Sequence, residues 1–312
     1  MKSASRHSIA KPSPTNIERA FERDANRNSS LALWAVVAVV SPASEIVFQL
    51  VAGSVPNWLL SARIAALTAV LVATAYVKRI RALWPLCLAY LFQLILMAIR
   101  GIATTSPAYR SWVLSHGFVG GTLALHMIGL MLIAPVVIWF LRSPDRFYFR
   151  LGDPAARVEL PWLETGEKPL RWNTLGLLFA LVSGLVAWTF VGYTGREVSY
   201  QWRMALWAVL FACVNSFGKE LLNRNILVST VQPAFGAQHA ILVSSVIFGI
   251  GHWNGLPAGP IGVVMTFVLG YVAAKALIET RGMFWPWFMH MVPDCVLFYY
   301  WGLGAVAHGQ LG

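Results

Sequence analysis

The sequence predicts an all-α, polytopic membrane helical bundle of about eight to nine transmembrane helices, and three observations carry the prediction. Of 312 residues, 57% are hydrophobic and only 12% are charged, with 14 Trp and 17 Phe, whereas a soluble domain is roughly a quarter charged. The apolar residues gather into runs close to the roughly 20 residues that a membrane-spanning helix needs. The Lys and Arg residues behind the net charge of +11 flank these runs and do not interleave with aromatic residues along an aqueous face. They therefore read as determinants of membrane orientation, and nucleic acid is not an expected partner.

Residues 1–29 hold six basic and three acidic residues and no apolar core, so they read as a cytoplasmic polar tail and not as a secretory signal. Nine apolar segments follow, at about 30–52, 58–77, 82–99, 117–141, 173–193, 203–228, 239–252, 260–278 and 284–303. The seventh is short for a span, and tilting or stopping inside the protein would accommodate it. Cys87, Cys213 and Cys295 lie in or beside apolar runs without CxxC spacing, and read as small packing residues.

Basic residues in short loops set orientation. They gather in the tail, at Lys78, Arg79 and Arg81, and in the loop 142–171, which carries Arg142, Arg146, Arg150, Arg157, Lys168 and Arg171. Alternate crossings then put the N-terminus in the cytoplasm; Arg100 and Arg110 run against the pattern. The Pro-bearing loop 142–171 is the expected internal boundary, dividing leading helices over 30–171 from a domain over 172–312.

That last part holds the ionisable residues that a bilayer tolerates only with partners or water, which makes each a functional-site candidate. On the sixth segment Asn215, Lys219 and Asn223 recur every four residues, and Ser216, Glu220 and Arg224 form a second row beside them. One broad face of that helix is polar. Glu220 precedes Arg224 by one turn, the favourable order for a helical ion pair, which on its own terms is equally a structural device. On the seventh segment Phe248 lies one turn before His252, with Gly249 and Gly251 allowing close approach of a neighbour. A lone membrane His serves packing as readily as chemistry. On the last segment His290 and Asp294 share a face, where the acid can orient the ring, and Pro293 leaves the carbonyl of Met289 without its usual donor. At 1.5 Å per residue these groups fall at roughly 10–20 Å from one membrane face, so a single cavity opening toward the cytoplasm is expected.

Lys219-Glu220-x-x-x-Arg224, Phe248-x-x-x-His252 and His290-x-x-x-Asp294, in this order on successive membrane helices, resemble the signature of the CAAX protease and bacteriocin-processing (CPBP, also Abi) membrane endopeptidases. The similarity covers about 203–300 and includes the turn Glu279-Thr280-Arg281-Gly282. The resemblance implies an all-helical membrane domain that hydrolyses a peptide bond near the bilayer. It implies that a Glu and a His activate water, while a second His and an Asn or Asp stabilise the oxyanion. Carried over, the second Glu of the family's pair is Glu220, its Arg is Arg224, the water-activating His is His252, and the oxyanion pair is His290 with Asp294.

The first Glu of the family's pair, its base on water, is Lys219 here. An ammonium offers donors only, and serves as a base only after losing its proton. Three readings stand: a catalytically dead member that still binds peptides or partners, Glu220 in the base role with His252, or a desolvated Lys219 serving itself. Glu45 on the first helix is placed to neutralise Lys219, and Gln49 is a further intramembrane polar residue. No cofactor is implied. Zinc on His252, His290 and Glu220 is chemically feasible but nothing in the spacing demands it, and no His-Glu-x-x-His run occurs. A transporter is the rival class, and it would ordinarily show two similar halves, which this chain lacks. The expected partners are membrane lipids and a membrane-associated peptide or protein substrate, and the expected location is the bacterial inner membrane.

Overall fold

The computed structural model describes residues 30–39, 41–159, 169–192 and 202–307. The polar tail 1–29 and residues 160–168, with Lys168, lie outside them. The described residues form helices and connecting turns, with one isolated bridge between Arg157 and Arg171 as the sole β-type pairing among them.

The first apolar segment is a bent pair, α1 (Ser30–Val39) and α2 (Ala43–Ala52), meeting at 48°. Pro42 sits at the bend, where it cannot donate a helical hydrogen bond. α3 (Leu59–Tyr76) and α4 (Trp84–Thr105) are joined by a 3-10 turn over Lys78–Leu83. α5 (Pro107–Leu141) is broken at Gly117, whose φ of 58° favours glycine. The piece before the break folds back, so that Trp112 Nε1 donates to Gly120 O at 2.9 Å. α6 (Trp172–Gly192) follows the basic loop.

The polar-bearing helices come next. α7 (Trp202–Glu220) runs through a π-helical turn over Leu221–Ile226 into α8 (Leu227–Ile250). α8 breaks at Gly236, where φ is 84°, so a second arm returns toward His252. α9 (Gly259–Thr280) and α10 (Phe284–Ala307) complete the bundle.

Among the described residues six helices are long and apolar enough to span a membrane, or seven with the bent pair. All nine sequence segments coincide with helical stretches, and two differences explain the lower count. Trp202–Ile250 registers as one 49-residue run although Gly236 divides it. α10 falls outside the apolar set, since it carries His290, Pro293 and Asp294 among its Trp and Tyr residues. The fold is therefore an all-α polytopic membrane bundle. Its outward faces are apolar, with Leu50, Met131, Leu181 and Ile261 all exposed.

In lipid, apolar side chains gain nothing by leaving the solvent, so helices associate through close packing and small residues. The packing of α8 on α9 shows this. A Cβ on Gly249 would stand 2.9 Å from the carbonyl oxygen of Val263, and one on Gly270 3.1 Å from the Cα of Ser245. α10 packs extensively on both α7 and α6.

The basic loop docks on the α9–α10 turn. Asp153 N donates to Thr280 O and Met283 N to Arg150 O, each at 2.8 Å. Gly152, at φ 80°, lies so close to Gly282 that a Cβ would meet the Gly282 nitrogen at 2.8 Å. That end of the bundle is filled by Phe140, Phe147, Leu221 and Ile226.

Candidate active site

The buried side of the site is a charged layer. Glu220, at the end of α7, is 0% exposed and its Oε1 accepts a hydrogen bond from His290 Nδ1 at 2.6 Å. A carboxylate offers only lone pairs, so Nδ1 carries the hydrogen and Nε2 is left as an acceptor when the ring is neutral. Arg224 Nε lies 3.2 Å from Glu220 Oε2, the separation of an ion pair without the alignment of a hydrogen bond. The guanidinium is wholly buried, and its carbon stands 3.9 Å from the centre of the Phe248 ring. A cation over an aromatic face recovers through the ring quadrupole a part of what it loses in hydration. Phe248 also meets His290 edge to face at 5.4 Å and His252 at 4.3 Å.

The π-helical turn begins directly after Glu220 and carries Arg224; such turns recur at functional sites. Asn223 does not reach the site with its side chain: its Nδ2 donates to Lys219 O at 2.8 Å, while its own carbonyl accepts from Ser244 Oγ at 2.6 Å. Asn223 thereby ties the turn to α8.

The accessible side of the site is a cavity of about 880 Å³. Its wall includes Asn215, Lys219, His252, His290 and Asp294, with Phe248 beneath. Glu220 and Arg224 stay behind His290, outside the lining. Asp294 Oδ2 accepts from Asn215 Nδ2 at 2.7 Å and faces Ser216 Oγ at 3.2 Å. The same oxygen is 3.7 Å from His290 Nε2, too long for a direct hydrogen bond and suited to a bridging water. His252 Nδ1 donates to Phe248 O at 2.7 Å, which again leaves Nε2 as the acceptor. The Lys219 ammonium has no hydrogen bond or ion pair among the described residues.

Three sequence expectations change here. Glu45 does not neutralise Lys219; it forms an ion pair with Arg63, a buried residue of α3. His290 is oriented chiefly by Glu220 and not by its helical neighbour Asp294, since a direct 2.6 Å contact outranks one at 3.7 Å. The cavity is shared, as the spacing implies, but it does not open toward the basic loop. It runs through the second half of α6 (Ser183, Val191), the first half of α9 (Val264, Leu269) and out to Leu256 and Trp301, away from the end where the loop 142–159 packs. The helix bearing Glu220 continues past Leu227 as far as Gly236 and closes the other end.

Two residues outside the motifs join the wall. His126 of α5 lines the cavity, stacked on Phe211 at 5.3 Å and against Phe298 at 5.6 Å, with Nδ1 donating to Thr122 O at 2.7 Å. Phe211 and Phe298 stand one turn from Asn215 and Asp294, so His126 sits just beyond the carboxylate. Arg100 of α4 lines the far end. A His or Arg without a motif gives no sequence signal of this kind, since its partners are met only through folding. Asn215 and Ser216 are visible in the sequence as members of the polar rows, but their shared target, Asp294, is not.

The class so defined is a polytopic membrane helical bundle with a buried carboxylate–imidazole pair beside a cavity. Residues 200–296 match the family model described as type II CAAX prenyl endopeptidase Rce1-like, so this segment is similar to the CAAX protease family that its motifs resemble. Neither a curated protein nor a solved structure matches the chain. Among the described residues no group of three His, Cys, Asp or Glu side chains is arranged to hold a metal ion.

Proposed function

We infer that the chain is an integral-membrane endopeptidase that cleaves a membrane-proximal peptide bond with activated water, by Glu/His chemistry and without a resident metal. The observation that carries this reading is the Glu220–His290 hydrogen bond of 2.6 Å at the floor of the 880 Å³ cavity. Carboxylate behind imidazole behind open space is the arrangement by which a ring is held in one tautomer and made to accept a proton. The protein acts on a membrane-associated substrate in the bacterial inner membrane, with its N-terminus in the cytoplasm.

A second reading is favoured by Lys219, which stands in the cavity wall where the family has its first Glu: a peptide-binding protein without catalysis. One experiment separates the two. The purified chain is incubated with membrane-proximal peptides, alongside Lys219→Glu, His252→Ala and His290→Ala. Cleavage by wild type that both His variants lose, and that a chelator leaves unchanged, supports the peptidase. Cleavage by Lys219→Glu alone makes the wild type a binder, and chelator sensitivity removes the metal-independent mechanism.

A further inference from the structure

The Glu220–His290 contact reassigns roles within the site, and this inference rests on the peptidase reading. A general base must touch both the water and the cavity. Glu220 does not: it is 0% exposed, bonded to His290 and paired with Arg224. Lys219 reaches the cavity but carries an ammonium. His252 reaches it too, yet its Nδ1 rests on a backbone carbonyl, whereas His290 has a carboxylate behind it. A carboxylate supports the charge that a ring takes up on accepting a proton, and a carbonyl offers only its dipole.

The charges around His290 also balance. Glu220 and Arg224 cancel in the sealed layer, and Lys219 and Asp294 cancel at the wall, so the group is neutral when the His290 ring is neutral. Every neighbouring element is counted: Lys219, Glu220 and Arg224 come from α7 and the π-helical turn, His252 from the end of α8, Asp294 from α10. His126 and Arg100 lie farther along the same wall.

We propose that His290 is the general base of this protein, with the attacking water held between its Nε2 and the Asp294 carboxylate, and that Lys219 serves as the cation that stabilises the oxyanion. The 3.7 Å gap admits a water that donates one hydrogen to each acceptor, which turns the water's lone pairs toward the cavity. His290 Nε2 takes one proton as the water oxygen bonds to the peptide carbonyl carbon. The carbonyl oxygen becomes an oxyanion beside the Lys219 ammonium. As the C–N bond breaks, Nε2 returns its proton to the leaving amine, and acid and amine are released with the enzyme unchanged. Glu220 is a positioning residue that fixes the ring without meeting the substrate. A Lys is then not a lost base but a changed electrophile.

The test uses the full chain in detergent, labelled with 15N-histidine, together with pH–rate profiles. In wild type the His290 ring, assigned by its loss in His290→Ala, shows a protonated Nδ1 and an unprotonated Nε2; Glu220→Gln mixes the tautomers. Replacing Glu220 or His290 lowers kcat about 100- to 10,000-fold, and His290→Ala removes the acid limb of the profile. Lys219→Met lowers kcat about 100- to 1,000-fold with KM little changed, and keeps that limb. A protonated Nε2 in wild type, an acid limb that survives His290→Ala, or a limb lost in Lys219→Met overturns the proposal. A wild type that cleaves no peptide removes the peptidase reading and this role together, whereas cleavage indifferent to His290 removes this role alone.

Discussion

At the scale of single residues the site is governed by two fully buried charges, Glu220 and Arg224. Arg224 makes no hydrogen bond with any guanidinium nitrogen and is held by the Glu220 charge and the Phe248 face. Removing one partner of such a pair strands the other, at a cost of about 3–5 kcal/mol. Arg224→Leu should therefore destabilise the protein by about that much in a denaturation titration in mild detergent, and adding Glu220→Gln should restore a good part of it. A double variant no more stable than the single would show that Arg224 acts through packing alone. Most of these residues are legible in the amino-acid sequence. Glu220, Arg224, His252, His290 and Asp294 stand out because helical spacing aligns them and a bilayer penalises them. Their pairings are not legible there, since the bond from His290 spans 70 positions. The expected partner of Glu45 is wrong for the same reason: which helix faces α2 is decided by folding, and Arg63 is a single charge with no pattern around it.

At the scale of elements, the position of His252 depends on how closely α8 lies against α9. Gly249, three residues before it, allows the Val263 carbonyl and the Phe267 backbone to approach, where a Cβ would stand at 2.9 and 3.2 Å. Gly249→Val should cost about 1–3 kcal/mol by overpacking and should reduce activity, because the displaced arm carries the imidazole with it. Gly129→Val on α5, where nothing lies within 4 Å of a new Cβ, should leave both unchanged. Equal effects at the two positions would mean that helix propensity and not the α8–α9 contact is being measured. The nine apolar segments announce these helices, but the breaks inside them are only partly visible. Pro42 and Gly236 mark bends, and the gap between the sixth and seventh segments anticipates the second of them. The π-helical turn over Leu221–Ile226 leaves no trace in the sequence, because polar rows read on a 3.6-residue period continue unbroken through it.

At the scale of the whole molecule, the basic loop and the cavity occupy opposite ends of the bundle. The loop is tied to the α9–α10 turn through Asp153 and Arg150, and the cavity runs out between α6 and α9, which both pack on α10 and hardly on each other. If Lys and Arg mark the cytoplasmic face, the site is reached from the other leaflet or sideways from the lipid. Depth reckoned from sequence gives the reverse, since it takes the helix bearing Glu220 to end near Leu227 when it continues to the break at Gly236. The geometry is tested by placing single cysteines at Arg146 and at Leu256, both exposed, after replacing Cys87, Cys213 and Cys295 with Ala. A membrane-impermeant thiol reagent should label the Leu256→Cys protein in intact cells and the Arg146→Cys protein only in inverted vesicles. Labelling of both from the same side would overturn the opposed arrangement, and labelling in the reversed pattern would keep it while placing the N-terminus outside.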